Sequence, residues 1–203
     1  GYIYGCGTHI YMDNKLLFFR TVPNLLCKET VDLLRKYKIE AIFESNTEIL
    51  YDGASPAQSE FGVKMRKEIP MVDITKFNRA AACTYSYDKF LVHMLPDSDV
   101  EKFRSFCNDH YTYFNHGDGI WEVTQKGTSK ATGMEFLLDR LSIPKENCYA
   151  FGDSPNDLPM LKAAGVSVAM GNSYGGIEKH CTYQTSAVDR DGILHALEHL
   201  DLI

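Results

Sequence analysis

The last third of the chain alternates short apolar segments with segments of helical periodicity, and this alternation constrains the fold most. We predict strands at residues 148–151, 166–169 and 182–184, and helices at residues 157–164, 175–179 and 190–200. A strand, a helix and a further strand in succession form a right-handed crossover between parallel strands. The alternation therefore predicts an α/β fold with a doubly wound, mostly parallel sheet.

The first two thirds of the chain predict a mixed α+β arrangement. Residues 2–12 and 16–22 are rich in aromatic and apolar residues around a polar turn, which is typical of a hairpin. Helical spacing or a helix-start signal predicts helices over residues 24–38, from Ser55-Pro56 onward, over 97–110 and after Ser129. Strands are predicted at residues 40–44, 48–51, 87–95, 111–115 and 119–124. Residues 67–82 have no clear period.

Composition excludes several classes of protein. The 203 residues contain 21 Lys and Arg against 27 Asp and Glu, a net charge of −6, and no basic run. This balance disfavours binding to nucleic acid or to an anionic membrane, since both require basic surfaces. There is no signal segment, and the apolar runs are too short to span a bilayer, so we predict a cytoplasmic protein. The six cysteines form no CxxC pair, which favours reduced, buried thiols.

Residues 151–161, with the sequence FGDSPNDLPML, carry the clearest chemistry. The predicted strand delivers Asp153 to the carboxyl edge of a parallel sheet, where open α/β folds bind ligands, and Asp157 follows one helical turn later. Carboxylate oxygens suit Mg²⁺, which is commonly shared with a phosphate group. The structural alternative is that Asp153 caps the next helix and Asp157 stabilises its first turn.

Two further positions fit the same edge. Lys130 lies in the first turn of a predicted helix, the unfavourable end of the helix dipole for a cation, so an anion beside it would account for its position. A solvated lysine accounts for it equally well. Asn172 follows the strand at 166–169 in a Gly-Asn turn and could face the same edge, although an ordinary turn explains it too.

These motifs together resemble the Cof-type branch of the haloacid dehalogenase (HAD) superfamily of phosphatases. The resemblance covers the whole chain and is strongest over residues 124–172. The matching residues are Lys130, Gly152-Asp153-x-x-Asn156-Asp157, Met160-Leu161, Ala163-Ala164-Gly165, Met170-Gly171-Asn172 and Asp191-Gly192. The resemblance implies a Rossmannoid core formed by residues 1–20 and 119–203, incomplete at its N-terminus, with an inserted C2-type α+β cap domain over residues 21–118.

The resemblance also implies a function and a role for each site residue. It implies a Mg²⁺-dependent phosphatase that acts on small phosphorylated metabolites such as sugar phosphates. Asp153 and Asp157 would be the metal residues, with Asp157 also a catalytic carboxylate. Lys130 would be catalytic by balancing the charge of the phosphoryl group, and Lys130, Asn156 and Asn172 would contact the substrate.

One departure from the family pattern is large. The family's nucleophilic aspartate lies in a DxDGT motif and forms an aspartyl-phosphate, but no DxDGT occurs in this sequence. We therefore expect the segment that bears the nucleophile to lie outside this chain, and the chain alone to be inactive. Two alternatives stay open: a non-catalytic HAD-like module that binds a ligand or partner, and a phosphomutase. The sequence leaves the substrate, the cap residues that select it and the oligomeric state undetermined.

Overall fold

The described chain begins with a three-stranded antiparallel sheet. Its strands, in spatial order, are β1 (Tyr2–Tyr4), β2 (His9–Met12) and β3 (Lys15–Phe19). Asp13 and Asn14 connect β2 to β3 with φ values of 49° and 60°, the left-handed conformation that two-residue hairpin turns require and that Asp and Asn tolerate. The predicted hairpin is confirmed, although a short turn at Gly5–Gly7 divides its first arm into two strands.

The computed structural model describes residues 1–77 and 85–203, which form two compact units, Gly1–Thr128 and Ser129–Ile203. In the described part of the first unit, a second sheet has six strands in the order β6-β5-β4-β7-β9-β8. These are β4 (Ile39–Glu44), β5 (Ile49–Tyr51), β6 (Val72–Asp73), β7 (Lys89–Met94), β8 (Tyr111–Asn115) and β9 (Ile120–Gln125). Its strands are antiparallel neighbours except for the parallel pair β5 and β6. All the strands predicted in this region are confirmed, and β6 is additional.

Helices α1 (Asn24–Lys36) and α3 (Val100–His110) bury apolar faces in the core of this unit, as their periodicity predicts. Helix α2, which lies between α1 and α3 in the chain, spans Glu60–Glu68, so the predicted helix start at Ser55-Pro56 is wrong. Ser55 instead accepts a hydrogen bond from the backbone N–H of Ala57 in a turn. The helix begins after Ser59, whose hydroxyl oxygen accepts from the N–H of Gly62 at 3.0 Å and thereby caps it.

The second unit contains the predicted parallel sheet. Strands β10 (Tyr149–Gly152), β11 (Val166–Ala169) and β12 (Tyr183–Gln184) are parallel and adjacent in that order. Helix α4 (Lys130–Leu141) precedes them, α5 (Leu158–Ala163) connects β10 to β11, and α6 (Gly192–His199) follows β12. The predicted helix at 175–179 is instead a 3-10 helix over Ile177–His180. It follows Gly176, whose φ of 98° no right-handed helix allows.

Other sequence expectations have mixed outcomes. Of the six cysteines, the five described ones are free thiols, three of them buried, while Cys83 lies outside the described residues. The end of the aperiodic stretch 67–82 lies outside them as well. Among the described helices, none combines the length and the apolar character needed to span a bilayer. The division into a core (1–20 and 119–203) and an inserted domain (21–118) stays a prediction.

Helix α1 offers a direct test of the packing in the first unit. Leu34 is 3% exposed in the core, whereas Leu25 on the same helix is 83% exposed. We expect Leu34→Ala to lower the free energy of unfolding by about 2–5 kcal/mol, because it leaves a cavity. Leu25→Ala should change it by less than about 0.5 kcal/mol. Denaturant unfolding followed by the fluorescence of Trp121, the single tryptophan and itself buried in this core, measures both. Equal losses would contradict the buried face of α1.

Candidate functional site

The polar residues predicted from the 151–161 motif follow the carboxyl end of β10. The chain leaves the strand at Gly152, passes Asp153 and Ser154, and enters a 3-10 turn over Pro155–Asp157 that leads into α5. A Cβ atom on Gly152 would lie 2.6 Å from the Cβ of Asp157, closer than two non-bonded carbon atoms can approach. Glycine at position 152 therefore lets the strand end pack directly against Asp157.

Asp157 is the centre of the hydrogen-bond network at this edge. Its side chain is 6% exposed. Its Oδ2 atom accepts from the backbone N–H groups of Asp153 at 3.0 Å and Ser154 at 3.1 Å, and its Oδ1 atom accepts from Lys130 Nζ at 2.5 Å. Burial raises the pKa of Asp157, but the hydrogen bond and charge of Lys130 and the two N–H groups outweigh it, so the pKa is lowered. Asp157 is therefore ionised at neutral pH.

Lys130 is the cation of the site. It is the first residue of α4, which the reciprocal hydrogen bonds of the capping residues Ser129 and Thr132 begin at this position. Its Nζ atom also lies 3.2 Å from Oδ1 of the buried Asn156. Within the described part of the chain, these two contacts leave the third N–H donor of the ammonium for an incoming anion. The side chain is 33% exposed, so solvent reaches it.

Asp153 and Asn172 form a second, more exposed pair. The Nδ2 group of Asn172 donates to Oδ2 of Asp153 at 3.1 Å. The Oδ1 atom of Asn172 accepts from the backbone N–H of Val188 at 2.9 Å. Asn172 thus connects the turn after β11 both to the end of β10 and to the segment after β12.

The structure brings the predicted residues of the second unit into one connected group, because Asp157 binds the backbone of Asp153 as well as Lys130. Their roles stay predictions. Ser154 is the member that the sequence reasoning missed: its hydroxyl lies 2.6 Å from Asn156 Oδ1 and 3.0 Å from Asp157 Oδ2, so its single proton serves one of them at a time. A serine directly before a proline at the first helical position is a helix-start signature that could have identified it.

The residues at this edge fit a divalent metal through one carboxylate. Among the described residues, no three His, Cys, Asp or Glu side chains form a group that could hold a metal ion. Mg²⁺, however, commonly uses one or two protein carboxylates and fills its other positions with water and phosphate oxygens. The exposed carboxylate of Asp153 is suited to that arrangement. Both oxygens of Asp157 already accept hydrogen bonds. Its role as a metal ligand stays a prediction.

The carboxylate of Asp157 should stabilise the second unit in a pH-dependent way. Asp157→Asn replaces one acceptor oxygen by a donor, so a buried N–H or ammonium loses its partner, and we expect a loss of about 1–3 kcal/mol of opening free energy at pH 7. Because the pKa of Asp157 is lowered by folding, its contribution is present above the usual aspartate pKa of about 3.9 and disappears as the pH falls below it. Native-state hydrogen exchange of residues 149–163 measures the difference.

The matched control is Asp139→Asn, which removes an exposed carboxylate from α4 and should change the same free energy by less than about 0.5 kcal/mol. A difference between wild type and Asp157→Asn that stays constant or grows on acidification would contradict the lowered pKa.

Comparison with known proteins finds relatives that are described as phosphatases. Phosphatase YwpJ of Bacillus subtilis (strain 168) is 39% identical, and the match covers 97% of this chain and 80% of YwpJ. The 5-amino-6-(5-phospho-D-ribitylamino)uracil phosphatase YitU of the same organism is 32% identical over 53% of this chain and 42% of YitU. The solved structure of the HAD subclass IIB sugar phosphatase BT4131 superposes with a TM-score of 0.78 at 21% identity, covering 98% of this chain and 74% of that one.

The likeness to BT4131 shows the fold and confirms the predicted HAD-type α/β architecture. Several curated relatives match over only 20% to 42% of their own length, so the chain spans less than half of those proteins. The family model described as haloacid dehalogenase-like hydrolase matches residues 1–197, nearly the whole chain. With this match and the full-length similarity to YwpJ, the chain belongs to the haloacid dehalogenase-like hydrolase family.

Proposed function

We propose that this protein is a Mg²⁺-dependent phosphatase that acts on small phosphorylated metabolites such as sugar phosphates. The observation that carries the proposal is the position of Lys130. Its ammonium is held by Asn156 and by Asp157, and Asp157 also binds the backbone N–H of Asp153 after the carboxyl end of a parallel strand. A fixed cation and an exposed carboxylate that share one hydrogen-bond network are suited to a phosphate group and to the metal that accompanies it.

In this proposal Lys130 binds a phosphoryl oxygen by a charge-assisted hydrogen bond. Asp157 and Asn156 hold the ammonium in place, so it needs little reorganisation when the substrate arrives or when negative charge shifts during phosphoryl transfer. Positioning and electrostatic stabilisation of this kind provide most of the catalysis in phosphoryl transfer. Asn156 would also lie close to the bound phosphate, because Lys130 contacts its Oδ1 atom.

The carboxylate of Asp153 would hold the metal. Mg²⁺ bound there would supply a second positive charge that neutralises the phosphate oxygens. Asp157 would support this arrangement chiefly through its hydrogen bonds to Lys130 and to the backbone of Asp153.

These 203 residues do not contain the nucleophile in the motif that the family uses. Attack on phosphorus requires a carboxylate held in line with the bond that breaks, and the sequence contains no DxDGT motif. We propose that the attacking aspartate, which would form the aspartyl-phosphate, belongs to a segment outside this sequence. The chain alone would then bind phosphate without hydrolysing its esters.

The names of the relatives support a small phosphorylated metabolite as the substrate. BT4131 is described as a sugar phosphatase and YitU as a phosphatase of a phosphorylated ribitylamino-uracil. The substrates that these two names give are phosphate esters of polyhydroxylated carbon chains. We propose the same broad class here, with residues 21–118 as the inserted domain that selects among such esters.

Anion binding by Lys130 can be tested in this chain without catalysis. We expect Lys130→Met to weaken the binding of inorganic phosphate by about tenfold to a hundredfold, because a charge-assisted hydrogen bond contributes roughly 1.5–3 kcal/mol. Lys162→Met, which removes an exposed lysine of α5, keeps the same net charge as Lys130→Met and should leave the affinity within about twofold of wild type. NMR titration of the 203-residue chain measures the dissociation constants. Equal losses in both variants would indicate an effect of net charge alone.

Hydrolysis itself requires a comparison between two proteins. The first is the 203-residue chain, and the second, which we call the extended protein, adds the coding sequence upstream of residue 1. We expect Mg²⁺-dependent release of phosphate from sugar phosphates and p-nitrophenyl phosphate by the extended protein only. Asp153→Asn should abolish this release. Phosphate release is measured by a colorimetric assay over a panel of esters.

The other outcomes separate the alternatives. Turnover by the 203-residue chain that Asp153→Asn abolishes would show that the nucleophile lies within it, contrary to the proposal. Phosphate binding without turnover in either protein would favour a non-catalytic binding module. Transfer of phosphate between positions of one sugar, without net release, would indicate a phosphomutase.

A further inference from the structure

We propose that Asn172 is a positioning residue: it orients the carboxylate of Asp153 toward the metal and does not contact the substrate. The inference rests on the proposed function, because it assigns a role within the same site. It differs from the role that the sequence suggested, in which Asn172 binds substrate.

Both ends of the Asn172 amide already have partners of the correct chemical type. A backbone N–H can only donate, so the amide of Val188 requires the oxygen of Asn172, which lies 2.9 Å away. The NH₂ end must then face the opposite way, where it donates to Oδ2 of Asp153 at 3.1 Å. The two partners therefore fix the orientation of the amide, and they occupy one N–H of its NH₂ group and one lone pair of its oxygen.

The turn that carries Asn172 is fixed on both sides of that residue. Met170 N–H donates to the carbonyl oxygen of Gly152 at 3.0 Å, and Tyr174 N–H donates to that of Asp153 at 2.8 Å. Gly171 packs so closely against the segment after β12 that a Cβ atom there would lie 2.5 Å from the backbone nitrogen of Ala187. The backbone on either side of Asn172 is thus tied to the end of β10, so the side chain can impose a direction on Asp153.

The consequence for Asp153 is that its two oxygens become inequivalent. The oxygen Oδ2 is held by the Asn172 amide, which restrains the direction of the carboxylate and would leave Oδ1 for Mg²⁺. Groups that orient metal ligands in this way typically change metal affinity or activity by 10–100-fold when they are removed. Because Asp153 and Asn172 are both exposed, their hydrogen bond contributes little to the stability of the unit. Its loss should therefore weaken the binding of Mg²⁺ and leave the free energy of unfolding nearly unchanged.

The test compares two titrations of the extended protein in wild-type form and as Asn172→Ala. The first titrates Mg²⁺ alone, and the second titrates inorganic phosphate without metal, both followed by the backbone NMR shifts of residues 130 and 152–157. We expect Asn172→Ala to raise the dissociation constant of Mg²⁺ at least about tenfold. The dissociation constant of phosphate should stay within twofold. Asn147→Ala, which shortens an exposed asparagine of the same unit, is the control and should change neither constant.

Each other outcome identifies what has failed. Weaker phosphate binding with unchanged Mg²⁺ binding would mean that Asn172 contacts the substrate, and would overturn the inference. Weakening of both by the same factor would indicate general loosening of the site and overturn it too. Unchanged binding of both ligands would leave the proposed function standing and remove the role of Asn172. If the wild-type protein binds no Mg²⁺, the proposed function fails, and the inference fails with it.

Discussion

The ion pair between Lys130 and Asp157 is the interaction on which the rest of the site depends. A carboxylate that is 6% exposed pays a large desolvation cost, which only several donors can offset. Lys130 and the backbone N–H groups of Asp153 and Ser154 supply them. The same contacts therefore shape the turn after β10, fix the ammonium and keep the carboxylate ionised. Stability and chemistry cannot be assigned to separate residues here.

The surrounding backbone is built to permit this pair. Gly152 lets the strand end approach Asp157, and the capping residues Ser129 and Thr132 begin α4 so that Lys130 is its first residue. A lysine at that position is unfavourable for the helix dipole, and the carboxylate of Asp157 compensates for it. The sequence oddity of a cation at a helix start thus has a local electrostatic explanation, in addition to the phosphate that we propose as its ligand.

Much of the fold was predictable because periodicity reports burial directly, as in α1, β7 and the parallel strands after residue 148. The start of α2 was not, because Ser55 and Ser59 are equivalent as local caps. The choice depends on distant partners: the Ser59 hydroxyl also contacts Glu40 and His93, which lie far away in the sequence. Likewise, Lys130, Asp153 and Asp157 were predictable from spacing and family pattern. The link from Asn172 to Val188 was not, because any non-proline residue provides a backbone N–H.

The two compact units have a consequence for how such a chain can change over time. Every hydrogen bond described for Lys130 and Asp157 joins residues of the unit Ser129–Ile203. Substitutions in the sheets of Gly1–Thr128 therefore replace none of the residues that form these bonds, and a lineage can accumulate such substitutions while keeping every member of the ion pair's network. Sequence divergence among descendants should accordingly be unequal, slow around residues 130 and 152–157 and fast in the first unit.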